Sequence, residues 1–564
     1  MFLRLKTFIV LFIVFICIFF INFISFQQKT LNDEYIENTI YNNEEYSVPK
    51  MPKKSNFGDL GEAVIIPYDR LQESKDTYHI NQFNLVASDL IGNYRELPDY
   101  RHDDCLTDIL PKPDQLKHLK TSVIIVFHNE AKSTLLRTIH SVIYTTPKYL
   151  LHEIILVDDA SELDFLKKEL EDYVKTLLVS AKIVRVAKRG GLINARILGA
   201  KVATGGSLTF LDAHVECTQG WLVHLLAEIV RNRKSVVCPI IDVIDNDNFR
   251  YIKGAENTWG GFDWDLTFHW YHSKREIPES RLGSKHSSPI KSPAMAGGLF
   301  TIEKNYFYEI GAYDPGMEIW GGENVEMSVR IWTCGGQLLL HPCSRVGHVF
   351  REKSPYSWPG GVSHILTRNM MRTSEVWLDE YSKFYRASHP NHFFRLSSGT
   401  NDMGDITERK ELRKKLQCLH FRWYLENVYP ECPIPADTVA LGNVKNTATN
   451  FCLDSMSTAT TAQIARCHSL GGHQTLAFDK SGFLRFNNNR CIFAQDVNSE
   501  ILIETCSKRN TGAIFRYNDN KLIHQKTNTC LEVFQDLSLS YKLRIAPCSL
   551  DNSYQNWEMD PFNA

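Results

Sequence analysis

Short apolar runs alternate with amphipathic helical stretches from about residue 80 to 240, and this rhythm constrains the fold more than any other feature of the chain. Residues 122–127 read as a strand, and residues 132–144 as a helix with apolar positions at Leu135, Leu136, Ile139 and Val142. Residues 153–157 form a strand running into Asp158-Asp159, and a charged helix is expected over 163–177. Residues 182–186 and 192–202 repeat the strand and helix pattern, and a last strand, 207–211, delivers Asp212-Ala213-His214. Alternation at this spacing predicts an α/β domain, a parallel sheet with helices on both faces and strands apolar throughout.

Ligands of an open α/β sheet bind outside the carboxyl ends of its strands. Residues two apart in a strand project to one face. Asp212 and His214 therefore present a carboxylate and an imidazole together, a pair suited to a divalent metal such as Mn2+. His348 is the expected third ligand, with an ordinary core or surface histidine as the alternative. Asp159 is placed to accept from a ribose or a base edge; Asp158 or Ser161 could instead cap a helix. Arg189 precedes Gly190-Gly191 at a helix start, where it faces an anion or only solvent. Trp320-Gly-Gly-Glu-Asn324 opens another helix, and its glycines permit close approach of a ligand. There Glu323 serves either as helix N-terminal charge or as a partner of a substrate hydroxyl. Arg351 and Tyr356 lead a Pro- and Gly-rich stretch, 355–361, that reads as a lid over a phosphate.

At 564 residues the chain exceeds what one core supports. Arg4 and Lys6 precede residues 7–26, which carry no charge and suffice to span a bilayer. No small-residue cleavage pattern follows, so we expect an uncleaved signal anchor, with residues 1–6 cytoplasmic and the remainder lumenal. Residues 27–78, rich in Asn, Glu and Lys, read as a flexible stem. Thirteen of the fourteen cysteines lie beyond the anchor, and an odd count leaves at least one free thiol. No Asn-x-Ser/Thr sequon occurs, and a net charge of −2 argues against a nucleic-acid surface. From residue 438 the motifs Cys452-Leu-Asp454, Cys491-Ile-Phe493 and Cys530-Leu-Glu532 recur about 39 residues apart, each followed by a second cysteine. Such a period marks a threefold repeat of short β segments.

These stretches resemble the polypeptide N-acetylgalactosaminyltransferases, the family that starts mucin-type O-glycosylation. The matching motifs are Phe127-His-Asn-Glu-Ala131, Leu156-Val-Asp-Asp-Ala-Ser161, Gly191-Leu-Ile-Asn-Ala-Arg196, Leu211-Asp-Ala-His214, Met295-Ala-Gly-Gly-Leu-Phe300, Trp320-Gly-Gly-Glu-Asn324, Val346-Gly-His-Val-Phe-Arg351 and Glu375-Val-Trp377. The resemblance implies a GT-A (Rossmann-like) glycosyltransferase domain over 79–425, a linker over 426–437, and an all-β ricin-type β-trefoil lectin domain over 438–564. It implies a retaining, Mn2+-dependent enzyme using UDP-GalNAc and Ser/Thr-containing protein or glycopeptide acceptors, held in the Golgi membrane as a single-pass type II protein. A silent lectin-like member and a transferase for another UDP-sugar are the competing readings.

By motif, Asp212, His214 and His348 would hold the metal, while Asp159, Arg189, Trp320, Arg351 and Tyr356 would bind the donor. Glu323 and Asn324 would lie near the transferred sugar and the acceptor hydroxyl. Val126 departs from the Thr that some members place near the uracil. Implied disulfides are Cys105–Cys343, Cys334–Cys418, Cys452–Cys467, Cys491–Cys506 and Cys530–Cys548, leaving Cys217, Cys238 and Cys432 free. Among the repeats, only the first is expected to bind GalNAc, weakly and through Asp454. Phe493 cannot accept a hydrogen bond, Glu532 is too long, and His473 replaces the usual Asn before Gln474.

Overall fold

A computed structural model describes residues 57–272, 281, 285–389, 403–456, 460–468, 472–486, 490–507 and 510–562. The expected anchor and the first part of the stem lie outside these residues. Among the described residues no helix is long and apolar enough to cross a membrane.

The N-terminal domain is built on a ten-stranded sheet. Its leading elements are β1 (Thr121–Phe127), α1 (Lys132–Thr145), β2 (Leu151–Asp159), α2 (Lys168–Val174), β3 (Ala181–Val186), α3 (Gly191–Val202) and β4 (Ser207–Asp212). There follow β5 (Val215–Cys217), α4 (Trp221–Arg231), β6 (Ser235–Ile244), β7 (Phe300–Glu303), α5 (Glu323–Thr333), β8 (Gln337–Val349), α6 (Val362–Trp377) and α7 (Ser382–Ser388). Strands run in the order β8-β6-β7-β4-β1-β2-β3. The chain winds outward through β1, β2 and β3, then returns to pair β4 on the other side of β1. That reversal opens a crevice at the carboxyl ends of β1 and β4.

Successive residues of β1 feed opposite cores. Val123, Ile125 and Phe127 pack with Leu135 and Ile139 of α1 and Trp221 of α4, while Ile124 packs with Ile193 of α3. Burial on both faces explains why these strands are apolar throughout.

The structure departs from the sequence reading in four places. The sheet is mixed rather than parallel, because β7 runs antiparallel to both β4 and β6. It is a four-residue strand beyond the α/β rhythm, so nothing in the alternation announces it. The charged helix expected over 163–177 is a 3-10 turn, Asp164–Leu166, followed by the shorter α2. Residues 57–78 are folded rather than stem-like. Val64 is buried against Phe83, Phe249 and Tyr251, its N–H donates to Asn248 O at 2.8 Å, and Leu71–Asn81 is a helix. A few anchor residues hold this segment, too sparse to register as periodicity. Finally, residues 428–434 of the expected linker bury Val428, Tyr429, Cys432 and Ile434 in the main core.

The C-terminal domain comprises sheets of five, four and four short strands. Leu453, Ile492 and Leu531, the middle residues of the three Cys-containing motifs, meet in one core with Trp557. Disulfides Cys452–Cys467, Cys491–Cys506 and Cys530–Cys548 tie each repeat. Two more, Cys105–Cys343 and Cys334–Cys418, tie the N-terminal domain, and Cys217, Cys238 and Cys432 are free and buried. The two domains meet where Phe562 packs on Tyr381 and Phe384, 5.7 and 5.6 Å between ring centres, and where Tyr381 Oη donates to Ala436 O.

Candidate active site

A cleft of about 430 Å3 opens at the carboxyl ends of β1, β2 and β4. Its walls include Val126, Asp159, Arg189, Asp212, Trp320 and Tyr356. Register places these groups. Val126 stands opposite Asp212 across β1–β4, and Phe127 opposite Asp158 across β1–β2. His348 arrives from β8, which pairs antiparallel with β5 so that His348 faces Val215, and Val349 N–H donates to His214 O at 3.1 Å.

The ligand atoms of Asp212, His214 and His348 all lie within 4.8 Å of one another. His348 Nε2 is 3.3 Å from Asp212 Oδ2. Arg196, buried in α3, donates to Asp212 Oδ1 at 3.2 Å and to the carbonyls of Gly297 and Gly298. Burial pushes the Asp212 carboxyl up, but the His348 hydrogen bond and the Arg196 charge outweigh it and hold the group well below the usual carboxylate range. A Cβ on Gly298 would meet Asp212 Oδ2 at 2.5 Å, so only glycine fits beside this carboxylate.

His214 Nδ1 lies 2.8 Å from Glu130 Oε2. An ionised carboxylate there makes Nδ1 the protonated nitrogen and leaves Nε2 its lone pair. Burial, then Arg351, lower the basicity of this ring, which favours the neutral imidazole that a metal requires. His348 Nδ1 is buried without a partner. An ionised carboxylate with two imidazoles is a donor set that fits a divalent ion of Mn2+ type.

Asp159 accepts from Gly190 N–H at 2.7 Å and Gly191 N–H at 2.9 Å, and Arg189 Nη1 approaches it at 3.3 Å. The start of α3 is thus occupied by the protein's own carboxylate rather than open to an anion. Close packing enforces this turn: a Cβ on Gly191, at φ +80°, would lie 2.2 Å from Ile319 Cα. Arg189 Nε remains buried and unpartnered, and its guanidinium sits 5.7 Å from the Tyr356 ring. Asp158 accepts from Ser161 N–H and pairs with Arg185, capping a turn rather than a helix.

Half-exposed Trp320 stands edge-on to Trp358 at 5.9 Å across the cleft mouth. Its loop is clamped by fully buried Asn369 of α6. Asn369 Oδ1 accepts from Glu318 N–H, and its Nδ2 donates to the carbonyls of Glu318 and Gly321, both at 2.8 Å. Glu323 accepts from Gly321 N–H at 2.6 Å and lines the cleft, and burial raises its carboxyl above the usual range. Asn324 is not among the residues lining the cleft; its amide donates instead to Met295 O at 3.0 Å.

Arg351 Nη1 donates to Tyr356 Oη at 2.9 Å, while Nη2 reaches both oxygens of Glu130 at 2.8 and 2.9 Å. Burial pushes Glu130 up, but Arg351 and His214 pull it down to about 2. Burial raises the Tyr356 phenol to about 12.

Sequence reasoning assigned no role to Glu130, Arg196, Asn369 or His128, whose Nδ1 lies 2.7 Å from Asp159 O. Two signals were available. Polar residues crowd directly after the carboxyl end of β1, and Arg196 interrupts an otherwise apolar helix face.

Comparison with known proteins agrees with this architecture. Residues 122–307 match the family model for glycosyl transferase family 2, residues 279–354 the N-terminal domain of galactosyltransferase, and residues 440–557 the ricin-type beta-trefoil lectin domain. The protein is thus a glycosyltransferase of the GT-A class carrying a C-terminal trefoil. Polypeptide N-acetylgalactosaminyltransferase 13 of Rattus norvegicus is 48% identical over 84% of this chain and 84% of its own length. Polypeptide N-acetylgalactosaminyltransferase 5 of Caenorhabditis elegans is 42% identical over 90% of this chain and 80% of its own. A crystal structure of GalNAc-T7 with UDP, GalNAc and Mn2+ superposes with a TM-score of 0.65 at 34% identity, covering 92% of this chain and 95% of that one. The chain belongs to the polypeptide N-acetylgalactosaminyltransferase family.

Proposed function

We propose that this protein transfers GalNAc from UDP-GalNAc to Ser or Thr hydroxyls of polypeptides, with retention at the anomeric carbon. The observation that carries the reading is the convergence of Asp212, His214 and His348 beside Arg189, Arg351 and Tyr356 in one nucleotide-sized cleft. Asp212, His214 and His348 would hold Mn2+, which when bound would supply positive charge to the leaving diphosphate.

The chain's own groups account for the rest. Transfer breaks the bond from the anomeric carbon to the β-phosphate oxygen and forms one to the acceptor oxygen; the acceptor proton must go elsewhere. Each cleft carboxylate already has a task. Asp159 holds the start of α3, Asp212 belongs to the metal set, and Glu323 accepts from Gly321. The departing phosphate oxygen is therefore assigned the proton. Arg351, buried beside the cleft with Nε unpartnered, meets the charge that grows on that phosphate. Trp320 and Glu323 border the sugar, and the mouth between Trp320 and Trp358 admits the acceptor. Asn324 acts on the sugar only through the wall it supports.

The trefoil is read as a weak GalNAc-binding module working through Asp454. Asp454 accepts from Gln474 Nε2 at 3.0 Å and Met456 N–H at 2.6 Å. In the third repeat Glu532 is taken up by Arg544, Asn552 and Gln555, which leaves it closed to a sugar. Golgi residence, a type II anchor over 7–26 and a lumenal active domain complete the proposal. It rests on the apolar run, its flanking charges and the family.

The test is to incubate the purified protein with Mn2+, a panel of UDP-sugars and Ser/Thr peptides. Transfer from UDP-GalNAc that stops on chelation is expected. Transfer only from another UDP-sugar, or none while the lectin domain still binds GalNAc, overturns the reading in favour of one of its two competitors.

A further inference from the structure

One buried carboxylate serves both halves of the site. Glu130 is 1% exposed, at the head of α1. One of its oxygens faces His214 Nδ1 at 2.8 Å, and both accept from Arg351 Nη2. Tyr356 Oη lies 3.5 Å away, while Ala131 N–H and Thr134 Oγ1 donate to its other oxygen. Arg351 is held from its remaining sides by Tyr356 Oη and by the Phe83 ring, 5.2 Å from the guanidinium carbon. Arg351 Nη2 and His214 Nδ1 are themselves only 3.3 Å apart. Without Glu130, His214 Nδ1 would be left facing the Arg351 guanidinium, from which it can accept only in the tautomer that carries its proton on Nε2, the nitrogen a metal needs.

We propose that Glu130 is a positioning residue that couples the metal set to the segment carrying Arg351 and Tyr356. This inference rests on the metal reading given above. Its carboxylate fixes His214 in the tautomer whose Nε2 is free to ligate, and a hydrogen-bonded carboxylate raises the ligand strength of such a ring. The same carboxylate is the counter-charge that lets Arg351 stay buried beside the cleft, ready for a diphosphate. Metal affinity and the placement of Arg351 are therefore not independent, because both draw on one group.

The experiment is Mn2+ titration followed by electron paramagnetic resonance, without donor or acceptor, on the wild type, E130Q, E130D, R351A and the double variant E130Q/R351A. Circular dichroism and thermal melts check folding. E130Q, matched in shape but uncharged, should bind Mn2+ roughly 10- to 100-fold more weakly, and E130D should recover part of the loss. R351A should change Mn2+ affinity by a factor that differs at least about threefold between the Glu130 and E130Q backgrounds, the signature of a shared partner. If E130Q does not fold, the same cycle is run with E130D. Wild-type affinity in the Glu130 variant, or strict additivity with R351A, overturns the proposal. Failure of the wild type itself to bind Mn2+ overturns the metal reading instead, so the two failures are distinguishable.

Discussion

At the residue scale, the site depends on charges that are buried and matched. Asp212 stays ionised inside the protein because His348 and Arg196 outweigh the cost of its burial. Replacing it by Ala removes one of the three groups proposed to hold the metal and leaves Arg196 without its carboxylate partner. Asp212→Ala and His348→Ala should each reduce transfer by at least about 100-fold, beyond the ~10–100-fold usual for losing an outer partner of a metal ligand. An assay with saturating Mn2+ checks this; near-normal turnover in either variant removes that residue from the set. The juxtaposition of Asp212 and His214 was legible because a strand end with alternating side chains suffices to show it. For Glu130 and Arg196 the sequence showed only a polar residue after β1 or on an apolar helix face, not what it does; for Asn369 it showed nothing. Their roles are hydrogen bonds to groups far away in the chain, and no local pattern encodes such partners.

At the scale of elements, β1, β2, β4, α1 and α3 were readable because burial leaves a nearly continuous apolar signature, and the half-buried edge strand β3 because Ile183, Val184 and Val186 keep a short β-type run. β7 and β8 were not, since they lie in the Trp-, Gly- and Pro-rich region where local patterns fail and pairing with β4, β5 and β6 decides the conformation. One carboxylate stitches the early strands. Glu153 of β2 accepts from Ser122 of β1 and from Thr204 before β4, and pairs with Lys182 of β3. Burial raises its carboxyl, but Lys182, Thr204 and Ser122 bring it down from 4.5 to about 2. A lowered folded-state pKa stabilises above the unfolded value and loses that contribution as pH falls through the folded one. The stability gap between wild type and Glu153→Gln should thus be full at neutral pH, begin to shrink below pH 4.5, and be largely gone near pH 2. Urea midpoints measured across that range decide; a gap independent of pH contradicts the stitching role.

On the scale of the whole molecule, the transferase cleft and the trefoil occupy separate domains that share a packed junction at Phe562, Tyr381 and Phe384. Asp454→His should lower transfer to a GalNAc-bearing glycopeptide by about 2- to 10-fold, the worth of one good hydrogen bond, and leave the naked peptide unaffected. Equal loss on both substrates, or none on either, would show that the first repeat is not a working sugar site. The threefold repeat was plain from its cysteine spacing; the junction was not, because it is made by single aromatic residues from distant segments.

The folded segment 57–66 decides where a protease can free the protein from its proposed anchor without harming it. Gly61 packs directly on Tyr251, with its would-be Cβ 2.6 Å from Tyr251 Cβ, and Tyr251 in turn lies under Gly347, the neighbour of His348. A cut before Phe57 should release a fully active soluble enzyme. A cut at residue 78, where the sequence reading ends the stem, strips the cushion beneath the neighbour of His348, a proposed metal ligand, and the shed product should melt earlier and bind Mn2+ less tightly. Equal melting temperatures and Mn2+ affinities for the two fragments would show that the cushion is dispensable.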